Sequence, residues 1–182
     1  MFTGLLLIVA ALQYRAYVKT ESAFLVVPNL RFVGGEPTSD GPATLIMTIK
    51  NAGKNVAVVK EINVSTHIGV RQKELPDEPD YEKMIDIAVM PPVAPGITYP
   101  FVLRGDPVNP GNTFSPQIVS DIISGKDPFY VFGFIEYNNG YNFILHAKIG
   151  YCFVYMTPTQ RVGDTFEVCK RPKYTYSRRG FP

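Results

Sequence analysis

Residues 129–155 read Phe129-Tyr-Val-Phe-Gly-Phe-Ile-Glu-Tyr-Asn-Asn-Gly-Tyr-Asn-Phe-Ile-Leu-His-Ala-Lys-Ile-Gly-Tyr-Cys-Phe-Val-Tyr155, and this stretch decides the fold. An Asn-Gly pair between two apolar runs is a strong β-hairpin signal, because a type I′ turn needs two residues that tolerate positive φ. With Asn139 and Gly140 as the loop, Asn138 faces Tyr141 and the pairing continues outward. We therefore expect two long central strands that a second sheet must cover.

Alternation along these strands divides their side chains between two faces. The face that we assign to the core has Glu136 as its one charge and otherwise carries Tyr130, Phe132, Phe134, Phe143, Leu145, Ala147 and Ile149. The wetter face carries Val131, Gly133, Ile135, Asn142, Ile144, His146 and Lys148. His146 then lies opposite Gly133. We interpret it, like His67, as a surface residue, since no partner ligand is placed beside it.

Composition narrows the class of protein. The chain has 182 residues, is rich in Pro, Gly, Tyr and Phe, and has no Trp, which is typical of short strands joined by many turns. A formal net charge of +2 argues against a bulk nucleic-acid binder, so we expect no nucleic-acid partner. Two cysteines and two histidines are too few for a structural zinc site within the chain.

Catalytic motifs are missing from the sequence. It contains no phosphate-binding glycine loop, no nucleophile elbow and no metal-spaced His/Cys cluster. We therefore expect no enzyme activity, no catalytic residues, no metal site and no cofactor.

The rest of the chain predicts short strands at 23–33, 43–50, 56–68, 85–90, 97–103 and 164–169. Pro28 marks an edge or a bulge in the first of these, and Lys60-Glu61 interrupts the third, which predicts a bulge or a crossing between sheets. Ser115-Pro116 predicts a helix N-terminus, and Gly125 its end. The pattern gives an all-β fold of seven or eight strands with one short helix, arranged as two packed antiparallel sheets.

The N-terminal segment is apolar from Phe2 to Leu12 and extends through Tyr14, Ala16, Tyr17 and Val18. Its roughly 17 residues would make about 25 Å of helix, close to the ~30 Å hydrocarbon core of a bilayer. We expect a transmembrane anchor at 1–19 with Tyr14, Arg15, Tyr17 and Lys19 at the membrane interface, and a connector at 20–22. An uncleaved signal-like segment and a helix buried against the domain are the alternatives. Basic residues follow the segment, which favours a cytoplasmic domain.

Cys152 and Cys169 lie directly opposite each other if Pro158 faces Gly163 across the last turn. A disulfide there needs Cβ atoms roughly 3.5–4.5 Å apart, which a non-hydrogen-bonded pair supplies most readily. The alternative is two reduced, buried cysteines. A disulfide would place the domain in an oxidising compartment, against the charge argument, so the side of the membrane stays open.

Two charged segments complete the chain. The acidic stretch 77–82 predicts a solvated loop, because it lacks the glycine and terminal glutamate of a calcium-binding loop. We place the β-sandwich domain at 23–170 and a basic, Tyr-rich tail at 171–182. The tail is interpreted as a frayed terminus, with contact to anionic lipid headgroups as the alternative.

Two resemblances extend this interpretation. The stretch Thr44-Leu-Ile-Met-Thr-Ile-Lys-Asn-Ala-Gly-Lys-Asn-Val-Ala-Val-Val59 and the turn Val93-Ala-Pro-Gly-Ile97 resemble immunoglobulin-like β-sandwich adhesion modules. Most of the chain resembles a group of uncharacterised proteobacterial membrane proteins that have an N-terminal membrane helix, a connector and a β-sandwich. That match rests on residues 15–17, 23–24, 51–53, 94–96, 125–137 and 151–155 with Cys169. The connector here is shorter than in many members, and the resemblance implies no activity.

The expected function is a structural or protein-interaction module without catalysis, held in a bacterial membrane by a single span. Its partners would be membrane lipid, through the N-terminal helix, and an unidentified protein. The alternative is a small-molecule or glycan-binding sandwich at the cell envelope that uses loops 34–42 and 104–114. An interaction module should show an apolar patch or a free sheet edge, and a ligand binder a concave pocket with convergent polar groups.

Overall fold

The computed structural model describes residues 9, 12–13, 22–33, 44–69, 75–81, 85–86, 90–104, 115–140, 142–157 and 166–180. Within these ranges nine strands and one regular helix form. The strands are β1 (Leu25–Phe32), β2 (Thr44–Asn51), β3 (Ala57–Ile68), β4 (Ile85–Asp86), β5 (Thr98–Arg104), β6 (Phe129–Asn139), β7 (Asn142–Tyr155), β8 (Phe166–Val168) and β9 (Tyr176–Gly180), and the helix is α1 (Pro116–Ile123).

The strands form two antiparallel sheets. The smaller has the order β1-β2-β5, and the larger has the order β4-β3-β6-β7-β8, with β9 also pairing with β7. One core joins them, built from Leu25, Leu30, Phe32, Leu45, Met47 and Ile49 of the smaller sheet and Ile62, Val64, Phe129, Val131, Ile135 and Tyr137 of the larger. The mostly-β, two-sheet architecture with one short helix is therefore confirmed.

The predicted anchor falls largely outside the described residues, as do Tyr14, Arg15, Tyr17 and Lys19. In the part of the chain that is described, no helix combines the length and the apolar character needed to cross a bilayer.

Local irregularities occur where the sequence predicts them. The β1–β2 register shifts between Val26 and Asn29, on either side of Pro28, and β1 is an edge strand. The β3–β6 register shifts between Val59 and Glu61. These bulges follow from backbone rules, since proline cannot donate to a ladder and an extra residue interrupts alternation.

Helix α1 also begins and ends as predicted. The Oγ of Ser115 accepts the N–H of Ile118 at 3.3 Å, and Pro116 occupies the first turn. Gly125 follows the helix with φ of +74°, the left-handed conformation that glycine adopts without steric cost. The helix buries Val119 and Ile122 in the core.

The predicted register of the β6–β7 hairpin is wrong. Asn139 pairs with Asn142, and Asn138 pairs with His146 instead of Tyr141. This displacement of five positions along β7 is odd, so it exchanges the faces of one strand relative to the other. Ala147 and Ile149 face the core as predicted, whereas Phe132 and Phe134 do not belong to it.

Burial explains why β6 faces the other way. The even-numbered positions of β6 that we assigned to the core also include Glu136, whose charge would have to enter the apolar layer. The odd-numbered positions carry Phe129, Val131, Gly133, Ile135 and Tyr137 and no charge. That set faces the core in the structure.

The outer face of the larger sheet is covered as well. Phe132 is 5% exposed there, in a second cluster with Leu75, Cys152, Cys169 and Tyr174. The Tyr174 hydroxyl donates to the Pro76 carbonyl at 2.9 Å. The stretch from residue 75 to 81, predicted as a solvated loop from 77 onwards, therefore lies across this face, although Glu78 itself remains exposed.

The tail is part of the sheet and not a frayed terminus. Residues 176–180 form β9 and pair with residues 146–150 of β7, so the sheet extends beyond the boundary that we placed at residue 170. Tyr174, 1% exposed, anchors the turn before β9. Together β8 and β9 cover part of one edge of β7.

Asn51 connects the two sheets through a buried side chain that is 0% exposed. Its Oδ1 accepts the N–H groups of Phe24 at 3.2 Å and Gly53 at 2.9 Å. Its Nδ2 donates to the carbonyls of Asn55 at 2.7 Å and Val93 at 2.8 Å. Because Val93 bridges to β3, one amide joins β1, the β2–β3 turn and the larger sheet.

Asn51→Ala should lower the free energy of unfolding by about 2–4 kcal/mol, because it leaves buried backbone donors and acceptors without partners. Equilibrium urea unfolding of the full chain measures this. Asn55→Ala is the matched control, since that side chain is exposed and its carbonyl remains; it should change stability by less than about 0.5 kcal/mol. Equal midpoints for the two variants would contradict the role of Asn51.

Candidate binding site

Both histidines lie on strands of the larger sheet, each beside one polar or aromatic neighbour. His146 lies opposite Asn138, not opposite Gly133 as the tight hairpin predicts, and its Nδ1 is 4.0 Å from a carboxylate oxygen of Glu136. Burial lowers the pKa of His67, whose ring lies near that of Tyr130. Among the described residues, no three His, Cys, Asp or Glu side chains are grouped to hold a metal ion.

Cys152 and Cys169 are joined as a disulfide, with Cα atoms 5.2 Å apart. The strand register that carries them pairs Phe153 with Val168. The Cys169 N–H donates to the Cys152 carbonyl at 2.9 Å, so the bridge spans a hydrogen-bonded position instead of the non-hydrogen-bonded one that the sequence argument favoured. The disulfide sits within the outer cluster and ties the strand edge of β7 to the segment leading to β9.

A thiol count on unfolded, non-reduced protein should give zero reactive cysteines, and two would contradict the bridge. Replacing both Cys152 and Cys169 by alanine should lower the free energy of unfolding by about 3 kcal/mol, because the bridge closes a loop spanning 17 residues. Reduced wild-type protein should lose a similar amount of unfolding free energy. Because its cysteine side chains are still present, that loss comes from the bridge and not from side-chain packing.

A row of four charges crosses the outer face of the larger sheet. Glu61 pairs with Glu136, Glu136 with Lys148, and Lys148 with Arg178. The row thus has two acids at one end and two bases at the other, and like charges directly opposite each other are unfavourable unless something neutralises them. At the acidic end, the Asn63 side chain donates to the Glu61 carboxylate.

The basic end of the row is only partly compensated. Lys148 Nζ lies 3.8 Å from Glu136 and 3.3 Å from the centroid of the Phe134 ring, in the range of a cation–π contact. The Arg178 guanidinium carbon lies 4.9 Å from the centroid of the Tyr176 ring. No carboxylate of the described residues forms an ion pair with Arg178. The guanidinium thus keeps its hydrogen-bonding capacity for a ligand.

These bases open onto a cleft of about 440 Å³, lined by Glu78, Pro79, Tyr81, Lys148, Lys173, Tyr176 and Arg178. Lys173 Nζ is 2.9 Å from Glu78. Its hydrogen bond and charge lower the pKa of Glu78, and Glu78 in turn raises the pKa of Lys173. Three basic side chains and one acidic side chain therefore face this cleft, which leaves it positively charged.

Two tyrosines form the apolar part of the wall. The Tyr176 ring packs over Gly150. A Cβ added at position 150 would lie 2.6 Å from Cδ1 of Tyr176, so only glycine leaves room for the ring. Tyr81 packs edge-on against Phe134, with centroids 5.2 Å apart. Burial is the main cause that raises the pKa of the Tyr81 phenol, and its hydroxyl has no hydrogen-bond partner among the described residues. Tyr81 therefore keeps its proton at physiological pH.

A second concavity lies beside β1. It measures about 340 Å³ and is lined by residues 24–27 of the β1 region, 149–153 of β7, Val168 and residues 175–177. The walls are mainly apolar, and Val168 is 53% exposed. The smaller sheet ends at β1, so this groove runs along one open side of the two-sheet core.

Loops 34–42 and 104–114, predicted for the alternative ligand-binding function, lie outside the described residues except for Arg104. The sequence predicts the cleft residues in three separate places. Lys148 was placed on the wetter face of the hairpin, residues 78, 79 and 81 in the acidic loop, and Lys173, Tyr176 and Arg178 in the tail. One signal was available: Tyr174, Tyr176 and Arg178 alternate, which is typical of a strand with one aromatic and basic face.

No protein family, curated protein or solved structure matches this chain.

Proposed function

We propose that the protein is a non-catalytic interaction module that holds an apolar segment of a partner protein in the groove beside β1. The observation that supports this proposal is the groove itself. It is apolar, it is open to solvent, and it is formed by strands that the core fixes from the other side, so it exists before the partner arrives. A preformed apolar groove favours binding because little order has to be created on association.

The partner is recognised through its side chains more than through strand pairing. Both edge strands of the smaller sheet contain a proline, Pro28 in β1 and Pro100 in β5. Proline and bulges at an edge prevent another strand from adding to the sheet. The apolar walls next to β1 remain accessible, and exposed Val168 extends them.

The architecture that we infer for this module is an immunoglobulin-like sandwich. What supports it is the strand order, β1-β2-β5 facing β4-β3-β6-β7, which corresponds to A-B-E facing C′-C-F-G of that fold. β8 and β9 are additions at the G-type edge.

We also propose that the module is held at a bacterial membrane by a single span in residues 1–19. The support is the apolar run from Phe2 to Leu12 and the resemblance to proteobacterial membrane proteins. The Cys152–Cys169 disulfide favours an oxidising side of that membrane, and this outweighs the orientation suggested by two basic residues.

Site-specific photo-crosslinking in cells tests the groove. A benzophenone amino acid in place of Val26, which lines the groove, should give one defined protein adduct. The same probe in place of Lys50, which lies opposite Val26 on β2 and is exposed, should give none. Equal yields from the two positions, or only lipid adducts from position 26, would contradict the proposal.

A second pair of variants links the adduct to the apolar wall. Val168→Asp should reduce the adduct from position 26 several-fold, because it puts a charge into an apolar contact. Ile97→Asp changes a similarly exposed residue, 46% against 53%, that does not line the groove, and it should leave the adduct unchanged. Identical yields from both variants would argue against groove binding.

A further inference from the structure

The cleft on the outer face of the larger sheet contains one cation, Arg178, that has no carboxylate partner among the described residues. Lys148 and Arg178 are directly opposed across β7 and β9. Glu136 lies 3.8 Å from Lys148 and Glu78 is engaged by Lys173, whereas no carboxylate of the described residues pairs with Arg178. An anion between Lys148 and Arg178 would relieve the repulsion and satisfy a guanidinium that can bind a carboxylate through two parallel hydrogen bonds.

The wall beside that charge suits a ring with hydroxyl groups. Tyr176 and Tyr81 contribute ring surface, and their hydroxyls can donate and accept hydrogen bonds. Glu78 offers carboxylate oxygens to hydroxyl donors from the same wall. An acidic wall residue disfavours polyphosphates and other polyanions, while it suits a ligand whose remaining polar groups are hydroxyls.

Size and total charge restrict the ligand further. The cleft, at about 440 Å³, falls within the range of roughly 300–1,000 Å³ typical of small-ligand sites. Because Lys148 lies near Glu136 and Lys173 pairs with Glu78, the remaining cation, Arg178, matches one negative charge on the ligand. We propose that this cleft binds an acidic sugar, with the sugar carboxylate between Lys148 and Arg178 and the ring against Tyr176.

This site shares Tyr176 with the proposed groove, but Lys148, Lys173 and Arg178 line only the cleft, so substitutions of Arg178 test the sugar site separately. A failure of sugar binding would leave the groove proposal intact, and the reverse also holds.

Isothermal titration of the full chain in detergent with digalacturonic acid tests the site. Saturable binding is expected. The neutral digalactose should bind at least about tenfold more weakly, because it loses the charge-assisted hydrogen bonds. Equal binding of the two sugars overturns the role of the anion, and no saturation with either sugar overturns the site. Inorganic phosphate binding as tightly as digalacturonic acid would show a simple anion site and would overturn the sugar assignment.

Arg178→Gln should weaken digalacturonic acid binding about tenfold, for the same reason, and Arg178→Lys should restore part of the loss. Arg178 is exposed, so unchanged thermal midpoints will show that both variants fold. Lys50→Gln removes one positive charge from β2 in the other sheet and should leave affinity unchanged. If Arg178→Gln binds like wild type, or if Lys50→Gln weakens binding equally, the cleft is not the site.

Discussion

The register between β6 and β7 determines the position of every group on both faces of the larger sheet. It places Tyr151 opposite Gly133, and the Tyr151 hydroxyl donates to the Asn63 carbonyl at 2.7 Å. A Cβ at position 133 would clash with the Asn63 carbonyl and would lie 2.7 Å from that hydroxyl, so this hydrogen bond has room only beside glycine. Burial raises the pKa of Tyr151 well above its usual range, which keeps the phenol protonated as a donor.

The same register assembles the outer face. It sets Phe132 beside Cys152, so that the disulfide packs within an aromatic cluster, and it sets Lys148 beside Glu136. β9 then adds Arg178 next to Lys148, and the stretch around Glu78 and Tyr81 closes the cleft from above. The core and the cleft are therefore two consequences of one pairing, and a shift of one residue would dismantle both.

Local chemistry made much of the fold predictable. Three signals act over only a few residues, and each has the effect predicted for it. Bulges form at Pro28 and at Lys60-Glu61, and the helix begins at Ser115-Pro116. The faces of β6 were not predictable in this way, because the strand is buried on both sides and its alternation carries little information. The Asn-Gly turn signal could not outweigh the cost of burying the charge of Glu136, which its register required.

The cleft was less accessible to sequence reasoning, since its residues come from three distant segments. Glu78 and Tyr81 precede the central hairpin, Lys148 lies within it, and Arg178 comes after the disulfide. Only the pairing of β9 with β7 brings them together. That pairing depends on the burial of Tyr174 and on the space above Gly150. Neither feature can be predicted from a local sequence pattern.

Cross-strand nuclear Overhauser effects from the backbone protons of Gly133 test this account most directly. The account predicts contacts from Gly133 to Tyr151, with Phe132 neighbouring Cys152 in the same register. Contacts from Gly133 to His146 would instead show the tight Asn139-Gly140 hairpin, and that result would contradict the placement of the core and of the cleft together.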